Sequence, residues 1–190
     1  MRIVLATQNV HKIREISLLL PSWITVSGID GLISEELRED GETLEENALQ
    51  KARFVQKLTG AVAMADDTGL EVDALNGAPG VYSARYGGEA KNAELNIAKL
   101  LREMQHTSNR RARFRTVIAL ADGKNEHLFE GIIEGEIIEE PRGTNGFGYD
   151  PVFVPTGDNR TLAELTIEQK GALSHRGKAL VHLVEFLATR

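Results

Sequence analysis

No cysteine occurs in the 190-residue chain, so disulfides, thiolate metal sites and thiol nucleophiles are all excluded, and nothing calls for an oxidising compartment. No run approaches the roughly 18 apolar residues that a membrane span requires. The opening MRIVLATQNVHK turns polar after a few apolar residues, without the apolar core and small-residue cleavage site of a secretory signal. A cytoplasmic location is therefore expected. A basic excess is also missing: the formal net charge of −6 argues against sequence-independent binding of duplex nucleic acid, which needs an extended basic surface to displace counterions. The phosphate-loop pattern GxxxxGKS/T and the zinc pattern HExxH are absent, and His11, His106, His127 and His182 show no other zinc spacing. A small anionic ligand remains open to an acidic protein that has a locally basic pocket or a bridging cation.

With 42% hydrophobic and 26% charged residues, the composition is that of an ordinary globular chain, long enough for one domain or for two lobes around a shared core. Residues 2–6 (RIVLA) read as a buried strand. A helix follows over 9–20, with Asn9 as N-cap and Val10, Ile13, Ile16 and Leu20 on one face. Thr43 and Glu46 stand in capping-box spacing before a helix that carries Leu44, Ala48, Ala52 and Val55 on one face and ends at Gly60. Residues 61–65 (AVAMA) are a strand candidate, 92–104 a third helix, and 112–138 a hairpin around Asp122-Gly123. Thr161 and Glu164 repeat the capping-box spacing, and 174–190 form a terminal helix. The alternation predicts an α/β fold with a mixed sheet.

Five segments carry candidate chemistry. The polar loop 7–12 (TQNVHK) between strand and helix suits an anion at a helix N-terminus with Lys12 beside it, and equally an Asn-capped helix with an exposed lysine. Asp66 and Asp67 are adjacent acids, and two carboxylates about 4 Å apart repel by roughly 4 kcal/mol at an effective dielectric of 20. Were the strand to continue through both, their side chains would point to opposite faces and serve different roles. A metal would offset the repulsion, and Mg²⁺ suits carboxylates that share it with phosphates; an Asx-type turn is the local alternative. The acidic run 35–47 is either a solvated face or, with Asn47 and Lys51 one turn apart, a polar wall. Residues 143–151 (GTNGFGYDP) offer Phe147 and Tyr149 as ring faces for a base, or form a turn with core aromatics. Lys170, His175 and Arg176 gather donors near a helix start, where Ser174 also serves as an N-cap. Together these describe a nucleotide site.

The segments LATQNVHKIREI, EENALQKA, ADDTGLEVDALNGAPGVYSARY, GTNGFGYDP and SHRGKAL, in that order over nearly the whole chain, closely resemble the inosine triphosphate pyrophosphatase (Ham1) family. The resemblance implies a single 1–190 domain with an elongated, twisted mixed sheet flanked by helices, in two lobes with the active-site cleft between them. It also implies a homodimer that hydrolyses ITP, dITP and XTP to monophosphate and pyrophosphate with Mg²⁺. Thr7, Gln8, Asn9, Val10, His11 and Lys12 match the triphosphate loop. Asp67 matches the proton acceptor and metal ligand, Asp66 a supporting acid, Lys51 the helix lysine facing the phosphates, and Thr68 a substrate contact. Glu39 corresponds to the second metal acid, with Glu36 as its competitor. Phe147, Gly148, Tyr149 and Asp150 match the base-binding segment, and Lys170, His175 and Arg176 the donors at the purine edge. The adjacent acids are then expected to be compensated by the cation and nearby lysines. A pyrophosphatase of pyrimidine or modified triphosphates and a non-catalytic nucleotide sensor are the rival readings.

Overall fold

The computed structural model describes residues 1–29, 31, 33 and 37–189. Strand β1 (Arg2–Leu5) leads into helix α1 (Val10–Leu19). Asn9 starts that helix, its Oδ1 accepting from the backbone N–H groups of His11 at 3.0 Å and Lys12 at 3.2 Å. β2 (Thr25–Ser27) and α2 (Leu44–Thr59) follow. Thr43 Oγ1 caps α2 by accepting from Glu46 N–H at 3.1 Å, and Gly60 ends it with a φ of 67° that disfavours any side chain. The reciprocal bond is shifted by one residue, Glu46 Oε2 accepting from Glu42 N–H at 2.7 Å. β3 (Ala63–Val72), β4 (Pro79–Gly80), α3 (Ala93–Glu103), β5 (Arg111–Ala121), β6 (Glu126–Ile137), β7 (Phe153–Pro155), α4 (Ile167–Leu173) and α5 (His175–Ala188) complete the chain.

The strand order is β2-β1-β3-β5-β6-β7, with β4 paired to β3. β1 is parallel to β2 and β3, while β3–β4 and β6–β7 are antiparallel, so the sheet is mixed as expected. One expectation is corrected, and one element is added. The 61–65 strand does not stop at the acids but starts at Ala63 and runs through Asp66 and Asp67 to Val72. It has ladder partners toward both ends, Val4 opposite Ala63 and Gly80 opposite Leu70. The stretch before the terminal helix holds a further short helix, α4, nucleated by a capping box of Thr166 and Gln169.

The chain forms two compact units. The first comprises Met1–Asp67, Thr116–Gly131 and Arg176–Arg190. On one face of its strands Ile3, Leu5, Met64, Ile118 and Leu120 pack with Ile16 of α1 and Leu180 and Leu183 of α5. The alternate strand residues Val4, Ala6, Ala63, Ala65, Ala119 and Ala121 are also buried, and all are small. α2 packs against β1 and buries Ala48 and Ala52. Small residues on helix and strands let backbones approach closely, which brings the side chains of α2 within reach of β3.

The second unit comprises Thr68–Arg115 and Ile132–His175. Leu70, Leu100, Met104, Phe114, Ile133 and Phe153 build its core, with the Phe114 and Phe153 rings 4.8 Å apart. Gly135 of β6 is what lets Phe153 lie there: a Cβ on it would overlap Val154 O and come within 2.6 Å of Phe153 Cζ. Gly135→Val should therefore lower stability by about 1–3 kcal/mol through overpacking, measured as a drop in the urea midpoint at unchanged m-value.

Candidate active site

Alternation along β3 sends the two adjacent acids to different partners. Asp66 shares the face of Met64, toward α1 and α5, and Asp67 that of Ala65, toward α2. The Asp66 carboxylate is buried and accepts at Oδ2 from Lys12 Nζ at 3.1 Å and from Arg176 Nε and Nη2 at 3.2 and 3.0 Å. Arg176, itself 1% exposed, gives Nη1 to Glu15 Oε2 at 2.5 Å. Burial would raise the Asp66 carboxyl, but Lys12 and Arg176 outweigh it and hold it well below the usual carboxylate range. Burial also lowers the Lys12 ammonium, against the pull of Asp66. Oδ1 of Asp66 is buried without a hydrogen-bond partner among the described residues.

Asp67 has a separate set of partners. Its Oδ1 lies 2.8 Å from Lys51 Nζ, and its Oδ2 accepts from Asn47 Nδ2 at 3.3 Å. Lys51 Nζ also donates to Glu39 Oε1 at 2.6 Å and to the backbone oxygen of Asp66 at 2.9 Å. The Lys51 ammonium is disfavoured by burial, but Asp67 and Glu39 overcome this and raise it above its ordinary value. Burial raises the Asp67 carboxyl, with Lys51 opposing. The loop that carries Glu39 is tied to α2 by side chains of that helix: Asn47 Oδ1 accepts from Gly41 N–H at 2.8 Å and Gln50 Oε1 from Asp40 N–H at 3.1 Å. Gly41 allows the approach, since a Cβ there would sit 2.6 Å from Glu46 Cβ. Glu36 lies outside the described residues.

The loop 7–12 closes the same cluster through Lys12. Asn9 N–H donates to Thr7 Oγ1 at 3.1 Å, and Gln8 Nε2 reaches Ile33 O at 3.5 Å. Gln8, Asn9, Val10 and His11 are exposed at the helix start. Lys12, Lys51 and Arg176 thus face Glu15, Glu39, Asp66 and Asp67, one carboxylate more than cations. No three acidic or histidine side chains gather as a metal set among the described residues. Glu39 and Asp67, converging on one ammonium, nonetheless fit Mg²⁺, which binds through one or two carboxylates and takes its other ligands from phosphates and water. Glu15 was not evident from the sequence; its signal is its place one turn after Lys12 on a helix face that otherwise goes to the core.

In the second unit, Asp150 Oδ2 accepts from Phe147 N–H at 2.8 Å and from Lys170 Nζ at 2.6 Å, and that ammonium stands 4.7 Å from the Phe147 ring centroid. Gly146 and Gly148 shape the turn with φ of 73° and 62°. Of the two expected stacking rings only Phe147 is partly exposed. Tyr149, 4% exposed, packs in the core and donates its hydroxyl to Ser83 O at 2.9 Å. Its ring therefore presents no face to a base. His175 is buried with its ring stacked on Phe114 at 4.8 Å. Thr68, the first residue of this unit, is half-buried on β3.

The Ham1 family model matches residues 3–186. Among curated relatives, the dITP/XTP pyrophosphatase of Christiangramia forsetii is 49% identical over 189 residues, covering 99% of this chain and 100% of that protein. The dITP/XTP pyrophosphatase of Porphyromonas gingivalis is 48% identical over 98% of this chain and 97% of its own length. Solved structures include the Ham1 protein of Staphylococcus aureus, with a TM-score of 0.89, 42% identity and coverage of 100% of this chain and 99% of that one. A HAM1 protein from Coxiella burnetii has a TM-score of 0.91 and 42% identity, each chain covered in full.

Because the Asp66 carboxyl is depressed in the folded state, it contributes stability that is complete above its unfolded value near 3.8 and is lost as pH falls through the folded value. Asp66→Asn should remove this part of the acid-unfolding profile. It should also cost on the order of 3–5 kcal/mol at neutral pH, because Lys12 and Arg176 lose a buried counter-charge. Urea titrations of both proteins from pH 7 to pH 2 measure each effect.

Proposed function

The chain belongs to the Ham1 family, and on that premise we propose that it hydrolyses the non-standard purine nucleoside triphosphates ITP, dITP and XTP to monophosphate and pyrophosphate, clearing them from the nucleotide pool. The observation that carries the reading is the Asp67 carboxylate held between Lys51 and Asn47, with Glu39 on the same ammonium. Relatives of nearly equal length that bear the name dITP/XTP pyrophosphatase support the substrate class.

In the proposed reaction a water oxygen bonds to the α-phosphorus and gives its proton to Asp67. The bond from that phosphorus to the oxygen bridging to the β-phosphorus breaks, and its electron pair leaves with pyrophosphate. Lys12 and Lys51 offset charge on the phosphates, and the exposed start of α1 directs its N-terminal dipole at them. Glu39 and Asp67 would hold a magnesium ion, which when bound supplies positive charge for the departing pyrophosphate. Thr7 through Lys12 would line the triphosphate.

For the base, Phe147 offers its ring and Lys170 and His175 offer hydrogen-bond donors, whereas the Arg176 guanidinium, expected at the purine edge, is given to Asp66 and Glu15. Hypoxanthine and xanthine carry a 6-keto acceptor where adenine has a 6-amino donor, so a donor-lined site leaves buried groups unpaired when ATP enters. Guanine shares the keto group, and its rejection falls to the 2-amino group. The same resemblance supports a homodimer working in the cytoplasm; sedimentation at micromolar concentration checks the assembly.

Purified protein with Mg²⁺ should convert ITP and XTP to monophosphate and pyrophosphate well ahead of GTP and ATP. Diphosphate plus orthophosphate would move the attack to another phosphorus, and ITP binding without turnover would favour a sensor. Asp67→Asn should lower kcat by about 10²–10⁴-fold with the circular dichroism spectrum unchanged. His175→Ala should narrow the ITP/ATP ratio of kcat/KM, and an unchanged ratio would remove it from base selection.

A further inference from the structure

An ammonium has three N–H donors and no acceptor. Lys51 has all three committed: Glu39 Oε1 at 2.6 Å, Asp67 Oδ1 at 2.8 Å and the backbone oxygen of Asp66 at 2.9 Å. The side chain is 5% exposed and rises from a helix whose neighbouring turns, at Ala48, Ala52 and Val55, are fully buried. The ammonium is thus a built-in counter-cation whose two charged partners are the same acids that suit a divalent cation. While it stays there it has no N–H to give a phosphate. A divalent cation arriving on those oxygens would meet a positive charge within hydrogen-bond distance of both of them.

We propose that the Lys51 ammonium and the divalent cation occupy the Glu39–Asp67 pair in turn, so that the metal enters with the nucleotide and not before it. The inference rests on the pyrophosphatase reading and adds an order of assembly to it. Without nucleotide, Lys51 satisfies both acids and keeps the cluster near neutrality. A triphosphate supplies new oxygens for the ammonium; as Lys51 moves to them, it vacates the acids for the metal that the triphosphate brings. Lys51 thereby serves two partners in sequence, the acids at rest and the phosphates in the loaded site. The exchange also guards the free site: two acids already sharing an internal cation are a poorer trap for stray divalent ions than two bare carboxylates.

The test reads metal binding, not turnover. Mn²⁺ alone, titrated into nucleotide-free protein and followed by electron paramagnetic resonance, should bind Lys51→Met at least about tenfold more tightly than the wild type, about 1.4 kcal/mol. Equal or weaker binding by a folded Lys51→Met would overturn the exchange. Since that variant leaves two acids uncompensated and can fail to fold, the wild type provides a second measurement through the ¹H–¹⁵N signal of the Lys51 ammonium. Millimolar Mg²⁺ alone should leave the signal in place, while Mg²⁺ with an α,β-methylene analogue of ITP should shift it. A signal moved by Mg²⁺ alone, or unmoved by both together, would overturn the order. The two readings fail separately: turnover of ITP with either overturning result sinks only the exchange, whereas absent turnover with tighter Mn²⁺ binding by Lys51→Met sinks only the pyrophosphatase reading.

Discussion

Two neighbouring carboxylates can persist in a strand only if each finds its own counter-charge, and the first unit is arranged around that requirement. The pleat of β3 sends Asp66 to the helices on one face and Asp67 to α2 on the other. Asp66 is met by Lys12 and Arg176, Asp67 by Lys51. The repulsion is therefore relieved within the protein, by side chains from α1, α2 and α5, and the strand continues through both acids to Val72. Apolar packing sets these helices at the right distance. The alanines facing α2 and the aliphatic residues facing α1 and α5 bring the cations to bonding range.

Buried ion pairs of this kind contribute little net stability, because desolvation costs about as much as attraction returns. Their value lies in fixed positions. Asp66 has three donors on one oxygen, so it holds Lys12 and Arg176 in one arrangement. Asp67 is left with one ammonium and one amide, a softer environment than that of Asp66. The adjacent acids thus divide into a tightly anchored group and a more loosely held one by their surroundings, although they are chemically identical.

Much of this was legible in the sequence because the signals are local. Asn9, Thr43 and Gly60 all act where their chemistry says a helix should begin or end, and the turn at Asp122-Gly123 joins β5 to β6. The losses came where tertiary partners decide. The strand length at Asp66 and Asp67 depends on cations far off in sequence, and the burial of Tyr149 on a hydroxyl contact to Ser83, 66 positions away. Helix α4 spans 7 residues between two capping positions, too few for an apolar period to stand out. Nothing local singles out Glu15, whose partner Arg176 is 161 positions away.

The first unit is made of three separate stretches of chain, the last of them beginning at Arg176. During vectorial synthesis the Asp66 carboxylate emerges more than a hundred residues before the guanidinium that completes its neutralisation. A nascent chain consequently cannot bury this acid at its native cost until Arg176 has left the ribosome. Closure of the first unit thereby waits for its last stretch of chain, and a product that stops short of Arg176 leaves the buried Asp66 with Lys12 as its one remaining cation of the pair.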